Sequence, residues 1–557
     1  MRALYFSILL FIQIGMSQIT FTSIPQNMQI YPRNPQTDSA KIVIEGTVTS
    51  KGVVSDKITV KTYRDNNLFS TLSEDLAYTG QTAAFKLTPQ IKAELAHYKI
   101  EVYTGSGTYE TLEKTVDSIA AGDAFIIQGQ SNAEARKFDG SANENQNSFI
   151  RVYGSGDPGG SSQKWFVADG DGTMVTNGSA GQWGIRMARQ ILDNQKIPVA
   201  LFNGAHGAKT IQFFARNDND TLDQETNYGR LLKRVQEAGL QNHIRALIWH
   251  QGESNADENF KATTAEYKTM WTTLHQDWLI DYPSIEKTYI FQIRNGCYAS
   301  IENILQVKEA LRQLALETTD VEIMSTSAYM QNNNCHFPYE VGYKHFGDNI
   351  YRLLNRDLYG AETENDIEPP MVLRVERTGN REITLVMDNA DDSYTWDTEA
   401  EKELSFVGAS VQVTSVTVEG RLIKLGFSGD VEGVTSITFR GHQGTPAPMV
   451  TNANGIGSVH FNEFPVIDPV AVEHDLKSTL KPITVHHNGG NFRFVFTQGQ
   501  RFRMARIVTV NGEVVKDFEN IEDSEELEWN ARSKSTGVYY LQVGDKTKHL
   551  LLPVVVY

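Results

Sequence analysis

Hydrophobic and polar residues alternate along the N-terminal part of the chain. Ile58, Val60 and Thr62 alternate with more polar neighbours, and so do Tyr98 and Ile100. A period of two is typical of strands that bury one face. Residues 18–118 are therefore predicted to form a β-domain, and no catalytic constellation is found there.

From residue 119 the pattern changes, and short apolar runs begin to alternate with stretches of helical periodicity. The runs predict buried strands at Asp123–Gln128, Phe149–Tyr153, Val199–Phe202, Ile244–Trp249, Tyr289–Ile293 and Val321–Met324. Helices are predicted over Trp183–Leu192, from Tyr267 to Trp278, from Ile304 to Leu314 and from Val341 to Leu354. This alternation predicts an α/β domain over 119–362, with helices on both faces of a parallel sheet.

Strand-like patterns return in the C-terminal third of the chain. Ile367–Pro370 reads as a linker, and Glu382–Val386 and Leu422–Phe427 follow it as apolar runs. We predict a β-sandwich domain over 363–468, with a boundary at Pro465–Pro469. The last segment, 475–557, is predicted to be a further small β-domain.

Charge and the first residues limit the functional classes. The chain of 557 residues carries a formal net charge of −17, which argues against a nucleic-acid partner because such a partner needs a basic face. Arg2, the apolar run Leu4–Ile14 and the small residues after it predict a signal peptide over 1–17. A membrane anchor is the alternative, but the run is shorter than the roughly 20 residues of a spanning helix. We therefore expect a secreted or cell-surface protein that does not span a membrane.

Two polar segments directly follow predicted strands. Gly129–Asn132 comes after the first apolar run of the α/β domain, and Trp249–Ala256 comes after Ile244–Ile248. The carboxyl ends of parallel strands line one crevice of an open α/β sheet, so the two segments are expected to meet there. Asn177–Gly181 narrowly misses a Gly-x-Ser-x-Gly elbow and lacks a preceding strand, so it is interpreted as a loop.

These segments hold the groups that ester hydrolysis needs, namely a nucleophile, a base, an acid and an oxyanion hole. Ser131 lies where a strand ends and a helix begins; its alternative role is an ordinary helix N-cap. Gln251 can donate an amide hydrogen and Glu253 can orient a histidine, unless the segment is only a polar loop in which Asn255 caps a helix. His336 follows the last predicted strand, so it is expected at the same sheet edge as Ser131.

The motifs Gly-Gln-Ser-Asn, Trp-His-Gln-Gly-Glu-Ser-Asn-Ala and Cys-His-Phe in this region resemble those of SGNH/GDSL-type hydrolases. Within that group, the chain is similar to carbohydrate O-acetylesterases related to sialate O-acetylesterase and acetyl xylan esterases. The resemblance implies a flavodoxin-like three-layer α/β/α sandwich. It also implies hydrolysis of acetyl esters on sugars without a metal or another cofactor.

The resemblance also implies roles for individual residues. Ser131 would be the nucleophile, His336 the general base and Glu253 the acid. The N–H groups of Ser131 and Gly207 and the side chain of Gln251 would bind the oxyanion. Together these groups would form the catalytic machinery.

One position departs from the family pattern. Many relatives carry an aspartate three residues before the histidine, and this chain has Asn333 there. An asparagine cannot stabilise an imidazolium by charge, so a Ser131–His336 dyad is the alternative to a triad with Glu253. We further predict that Asn132 and His250 contribute to substrate binding, with His250 also positioning its neighbours.

The only two cysteines are Cys297 and Cys335, and each follows a predicted strand of the sheet. Both are therefore expected near the same sheet edge. Export would permit a disulfide between them. We predict this bridge, with two separate free thiols as the alternative.

Val510–Val515 and Gly537–Val543, near the C-terminus, resemble the sorting domain of type IX secretion substrates in Bacteroidetes. The resemblance implies that the secretion machinery is a partner of this segment. A small carbohydrate-binding domain is the competing interpretation.

The sequence as a whole predicts a secreted serine esterase that removes O-acetyl groups from carbohydrates through an acyl-enzyme. Its expected partner is an acetylated carbohydrate substrate. The alternative from another class is a non-catalytic glycan-binding surface protein with a degenerate hydrolase domain. A lipid esterase is disfavoured, because no broad apolar lid sequence lies near the motifs.

Overall fold

The structure is a computed structural model. It describes residues 18–50, 55–157, 162–331, 334–361, 365–388, 394–441, 448–468, 484–488, 491–495, 504–509, 514–518, 526–531, 534, 537–544 and 549–556. The predicted signal peptide over 1–17 lies outside these residues, and so does Asn333.

The N-terminal region consists of mostly antiparallel strands around one apolar core, with β2 pairing in parallel with β10. Ile44, Ile58, Val60 and Ile100 are among its buried residues. Its strands are β1 (Gln18–Ser23), β2 (Ile30–Pro32), β3 (Ser39–Lys41), β4 (Ile44–Thr49), β5 (Lys57–Arg64), β6 (Asn67–Asp75), β7 (Thr82–Leu87), β8 (Gln90–Lys92), β9 (Tyr98–Ser106) and β10 (Tyr109–Gly129).

Strand β10 joins this region to the central one without a break. Its first half pairs antiparallel with β9, and its second half pairs in parallel with strands of the central sheet. The boundary predicted between residues 118 and 119 thus falls inside a continuous strand. Arg33 strengthens the junction, because its Nη2 lies 2.9 Å from the buried carboxylate of Asp123.

The central region is a three-layer α/β/α sandwich, which confirms the fold predicted from the sequence. Its elements are α1 (Ser131–Glu134), β11 (Ile150–Tyr153), β12 (Trp165–Val167), α2 (Gln182–Gln195), β13 (Val199–Asn203), α3 (Asn227–Glu237), β14 (Ile244–His250), α4 (Thr264–Asp281), β15 (Lys287–Gln292), α5 (Ile301–Glu317), β16 (Val321–Ser325) and α6 (Lys344–Tyr359). The helices predicted from the sequence do not include the residues that form α3.

The sheet order is β12-β11-β13-β10-β14-β15-β16, and every strand except β12 runs in parallel with its neighbours. Residues of β10 point alternately to the two faces: Ile126 packs with α3, α4 and α5, whereas Ile127 packs with α2 and α6. The chain leaves β10 towards one edge, returns beside it as β13, and continues on its other side as β14. The order therefore reverses at β10, and ligands bind at such a switch point in open α/β sheets.

The third region forms a β-rich layer after α6. Its strands are β17 (Val372–Gly379), β18 (Glu382–Met387), β19 (Thr395–Trp396), β20 (Leu404–Val407), β21 (Val413–Glu419), β22 (Leu422–Phe427), β23 (Ser436–Phe439), β24 (Val450–Thr451) and β25 (Phe461–Ile467). Seven of them form one sheet in the order β20-β23-β25-β17-β18-β22-β21. Val375, Leu385 and Leu425 lie in its buried core.

The C-terminal segment consists of antiparallel strands as well. They are β26 (Thr484–Asn488), β27 (Asn491–Val495), β28 (Met504–Thr509), β29 (Val514–Phe518), β30 (Glu526–Asn530), β31 (Gly537–Gly544) and β32 (His549–Val556). Across the described part of the chain, no helix has the length and apolar character that crossing a bilayer requires.

Candidate active site

Ser131 lies at the carboxyl end of β10, where the sheet order reverses. Gly129 precedes it with a φ of 132°, and a Cβ there would lie 2.2 Å from the carbonyl oxygen of His250, so only glycine fits this close approach. Gln130 is the N-cap of the four-residue α1, and Ser131 is the first helical residue. Ser131 is therefore not the N-cap that the alternative interpretation required.

His336 meets Ser131 directly. The two atoms Nε2 of His336 and Oγ of Ser131 lie 3.1 Å apart. The imidazole stacks on the Phe138 ring, with centroids 3.7 Å apart and planes 10° apart, and this contact fixes the orientation of the imidazole. The structure thus brings together the serine and histidine that the sequence placed at one sheet edge.

Electrostatics keep the imidazole of His336 neutral. Burial, and secondarily the positive charge of Arg136, lower the pKa of His336 to about 4. The Arg136 guanidinium lies 5.1 Å from the centroid of Phe138, the ring on which His336 stacks. A neutral imidazole at neutral pH can accept a proton, which is the requirement for a general base.

Glu253 is buried beside Asn132 and is 3 % exposed. Its Oε1 accepts a 2.8 Å hydrogen bond from Nδ2 of Asn132, and burial raises the pKa of the carboxyl. The same Asn132 nitrogen donates to the carbonyl oxygen of Cys335 at 3.2 Å. Asn132 therefore connects Glu253 to the segment that carries His336.

His250 lies deeper, with its ring centroid 4.9 Å from that of Phe291 and 6.0 Å from that of Phe346. Its Nε2 is 3.8 Å from Oε1 of Glu253, and neither ring nitrogen has a hydrogen-bond partner among the described residues. Burial lowers the pKa of His250 to about 3. The ring therefore acts as an uncharged packing element.

The expected substrate contacts of Asn132 and His250 need correction. Each is only 1 % exposed. The amide of Asn132 is used within the protein, since its Oδ1 also accepts a 2.8 Å bond from the hydroxyl of Tyr343. Because these side chains have almost no exposed surface, they support the site from beneath.

Gln251 also differs from its expected role as an oxyanion donor. Its side chain is fully buried, and Nε2 lies within hydrogen-bond distance of Gln130 Oε1, Lys209 O and Asn255 Oδ1. Tyr267 donates to its Oε1 at 2.8 Å. Both amide hydrogens thus have internal acceptors, and Gln251 fixes the loops around the site instead of facing an acyl oxygen.

Gly207, the second backbone donor predicted for the oxyanion hole, lies close to Ser131. A Cβ at Gly207 would lie 3.6 Å from Cβ of Ser131 and 3.3 Å from Oε2 of Glu134. The preceding residue anchors the loop, because the His206 N–H donates a 2.9 Å bond to the carbonyl of Gly129.

Sequence reasoning missed Arg136 and Phe138. Both follow Ser131 closely, but neither belongs to a periodic pattern or to a motif that carries chemistry. Only the stacking of Phe138 on His336 and the charge of Arg136 near that ring reveal their relation to the site.

Cys297 and Cys335 form a disulfide, with Cα atoms 4.4 Å apart. The bridge joins the loop after β15 to the residue that precedes His336. In the described ranges, no cluster of three or more histidine, cysteine or carboxylate side chains is arranged to hold a metal ion.

The central part of the chain is similar to one known protein family. Residues 121–353, which include Ser131, Glu253 and His336, match a family model described as carbohydrate esterase, sialic acid-specific acetylesterase. None of the curated proteins compared with the chain matches it.

Several solved structures are similar to this chain. A carbohydrate acetylesterase from Xanthomonas citri has 15 % identity and a TM-score of 0.55, and the match covers 80 % of this chain and 99 % of that one. A protein from Arabidopsis thaliana has 20 % identity and a TM-score of 0.34, covering 42 % and 99 %. A carbohydrate acetylesterase from Sinorhizobium meliloti has 14 % identity and a TM-score of 0.27, covering 42 % and 99 %. The match to the Xanthomonas citri protein shows a shared fold.

Proposed function

We propose that the central domain is a serine esterase that removes O-acetyl groups from carbohydrates. The observation that carries this proposal is the 3.1 Å contact between Oγ of Ser131 and Nε2 of a neutral His336 at the switch point of the sheet. The substrate class is supported by the match of residues 121–353 to a carbohydrate esterase family model. The similar Xanthomonas citri protein is itself a carbohydrate acetylesterase.

The first half of the proposed reaction acylates Ser131. Nε2 of His336 takes the hydroxyl proton while Oγ attacks the acetyl carbon, and the carbonyl oxygen becomes an oxyanion. The N–H groups of Ser131 and Gly207 are the proposed donors to that oxyanion. The bond from the acetyl carbon to the sugar oxygen then breaks, and His336 returns the proton to that oxygen.

The second half releases acetate. A water molecule transfers a proton to His336 and attacks the acetyl carbon of the acyl-enzyme. The bond between that carbon and Oγ of Ser131 breaks, and the proton passes from His336 to Oγ. The enzyme returns to its starting protonation state.

Glu253 is proposed as the acid that supports His336. Its support is indirect, since the carboxylate binds Asn132, and Asn132 binds the carbonyl of Cys335 next to the histidine. A dyad of Ser131 and His336 is the alternative arrangement. A Glu253→Gln variant distinguishes the two, as set out in the Discussion.

Labelling with a fluorophosphonate tests the catalytic class. This probe reacts with an activated serine, so wild-type protein should be labelled at Ser131 and should release acetate from 4-nitrophenyl acetate and from acetylated oligosaccharides. A folded protein that shows neither reaction would contradict the esterase proposal. That outcome would favour the non-catalytic glycan-binding alternative.

We also propose that the protein is exported and that its C-terminal segment directs it to a type IX secretion system. The N-terminal sequence of residues 1–17 supports export, and the Cys297–Cys335 disulfide suits an oxidising compartment. Fractionation of producing cells, followed by N- and C-terminal sequencing of the mature protein, tests both parts. Retention of intact protein in the cytoplasm would contradict them.

A further inference from the structure

A buried polar cluster connects the central domain to the third region, far along the chain from the proposed catalytic residues. Nδ2 of Asn295 donates to the carbonyl oxygens of Arg440 at 2.9 Å and Gly441 at 2.6 Å. Nζ of Lys308 donates to Oδ1 of Asn295 at 2.5 Å and contacts Nδ1 of His460 at 2.6 Å. Both Asn295 and Lys308 are fully buried.

The cluster is complete only when the third region is in place. Burial lowers the pKa of Lys308 well below its ordinary value, and the charge of Arg294 acts in the same direction. Polar groups that lose water without gaining hydrogen bonds are costly. Because the carbonyls of Arg440 and Gly441 come from the third region, that region supplies the partners that hold Asn295 in one position.

From Asn295 the chain leads within two residues to the disulfide. Gly296 comes so close to the carbonyl oxygen of Asn334 that a Cβ there would lie 2.2 Å from it. The next residue, Cys297, donates its N–H to the same oxygen at 2.7 Å and is bonded through sulfur to Cys335. The segment 295–297 is thus fixed to the third region at one end and to the histidine segment, residues 334–336, at the other.

The histidine segment in turn sets the position of the imidazole. The carbonyl of Cys335 accepts bonds of 3.2 Å from both Asn132 and Gln331, and the next residue places its Nε2 3.1 Å from Oγ of Ser131. Proton transfer requires this distance, and a displacement of about 1 Å can lower a rate about 100-fold.

We propose that Asn295 is a positioning residue through which the third region, by way of the Cys297–Cys335 disulfide, holds His336 against Ser131. The proposal rests on the esterase function proposed above. It makes the third region part of the catalytic apparatus, in addition to any role in binding glycans.

The chain offers a closely matched control, Asn452. This residue is also buried, its Nδ2 donates to the carbonyls of Asp366 at 2.8 Å and Glu368 at 2.9 Å, and its Oδ1 accepts one bond. It therefore resembles Asn295 in burial and in the number of bonds to backbone groups. The two Nδ2 bonds lead to the segment between α6 and β17, and the Oδ1 bond comes from the N–H of Ile456, so none of them leads to the histidine segment.

The test compares Asn295→Ala with Asn452→Ala in full-length protein, using 4-nitrophenyl acetate as substrate. We expect both variants to lose thermal stability, but only Asn295→Ala should lower kcat, by about 10-fold or more. KM should stay within about twofold, because Asn295 does not touch the acyl group. Equal effects of the two substitutions on kcat, or no effect of Asn295→Ala, would overturn the proposal.

A second variant, Cys297→Ser/Cys335→Ser, tests the path and remains informative if Asn295→Ala does not fold. Breaking the bridge should lower kcat to a similar extent. In that background Asn295→Ala should add little further loss, because both changes interrupt one connection. Full kcat in the double serine variant would overturn the proposed path.

The outcomes separate this inference from the function on which it rests. Active wild-type protein with an active Asn295→Ala variant overturns the positioning role and leaves the esterase intact. Wild-type protein that releases no acetate and reacts with no fluorophosphonate overturns both.

Discussion

Oγ of Ser131 and Nε2 of His336 lie 3.1 Å apart although 205 residues separate them in the chain. The serine follows β10 in the middle of the sheet, and the histidine follows β16 at its edge. The long loop after β16 must therefore reach back across β14 and β15. Its disulfide to the loop after β15 fixes it along this route.

Replacing the proposed nucleophile gives the first prediction. Ser131→Ala should lower kcat for acetate release by roughly 10³–10⁶-fold, because no other group can form the acyl-enzyme. The melting temperature should change little, since the hydroxyl of Ser131 contacts the imidazole at the surface of the site. Steady-state kinetics with 4-nitrophenyl acetate and acetylated xylo-oligosaccharides provide the measurement.

Ser179→Ala serves as the control for this prediction. Ser179 belongs to the Asn177–Gly181 segment, which narrowly misses a nucleophile elbow. Its substitution should leave kcat within a few-fold of wild type. Loss of activity in Ser179→Ala with retention in Ser131→Ala would reverse the assignment of the nucleophile.

The charge of Arg136 should contribute, together with burial, to the low pH at which activity falls on the acid side of the pH profile. With a His336 pKa of about 4, kcat/KM of the wild type should be nearly constant above about pH 5. Arg136→Gln removes a positive charge that opposes protonation, so the pKa should rise and activity at pH 5 should fall relative to pH 8. Profiles of kcat/KM from pH 4 to 8 measure this shift.

Lys137→Gln is the matched control for Arg136→Gln. Lys137 is the neighbouring exposed cation, and its Nζ lies 3.8 Å from a carboxylate oxygen of Asp171. Removing this charge should leave the pH at which kcat/KM falls on the acid side unchanged. An equal shift of this pH in both variants would mean that it depends on general surface charge and not on the Arg136–His336 pair.

Glu253→Gln tests whether the site uses an acid in addition to the dyad. The substitution keeps the volume and an oxygen that can accept from Asn132, and it removes the negative charge. If the charge of Glu253 stabilises the imidazolium from its buried position beside Asn132, kcat should fall about 10-fold, less than the roughly 10⁴-fold loss seen when an acid bonds the histidine directly. Unchanged kcat would favour the Ser131–His336 dyad.

The buried ring of His250 should make stability depend on pH. Its pKa is lowered from 6.5 to about 3 in the folded protein, so the unfolded chain binds the proton more readily between these values. The free energy of unfolding should therefore fall by about 1.4 kcal/mol per pH unit from this residue as the pH drops from 6.5 towards 3.

His250→Phe should remove this contribution while it preserves the packing against Phe291 and Phe346. Denaturant unfolding curves measured between pH 4 and 8 compare the two proteins. Below pH 6.5, the unfolding free energy of the wild type should fall steadily relative to that of His250→Phe. Glu253, 3.8 Å away, is the other ionisable group at this ring, so Glu253→Gln should be measured in parallel. If the unfolding free energies of the two proteins change with pH in the same way, a neutral buried His250 is ruled out.

The sequence predicted the central fold well because its signals are local. Apolar runs located the strands from β11 to β16 apart from the short edge strand β12, and the predicted helices correspond to α2, α4, α5 and α6. Helix α3 carries the same local signal, because its buried Tyr228, Leu231, Leu232 and Val235 recur at helical spacing, so the sequence contained the information to predict it. The sequence places a domain boundary near residue 118 because an alternating pattern gives way there to a continuous apolar run. Both patterns belong to extended backbone, so the sequence does not show that β10 continues through this position.

By itself, the sequence determined which residues lie at the carboxyl edge of the sheet, since strand order along the chain places Ser131, Glu253 and His336 in loops on that edge. Only the tertiary structure decided which side chains point into the site. In the folded protein, the buried amide of Gln251 donates to internal acceptors, and Asn132 and His250 lie beneath the surface. The ring of Phe138 stacks on the imidazole of His336. These outcomes depend on contacts between residues far apart in the chain, and no local pattern encodes them.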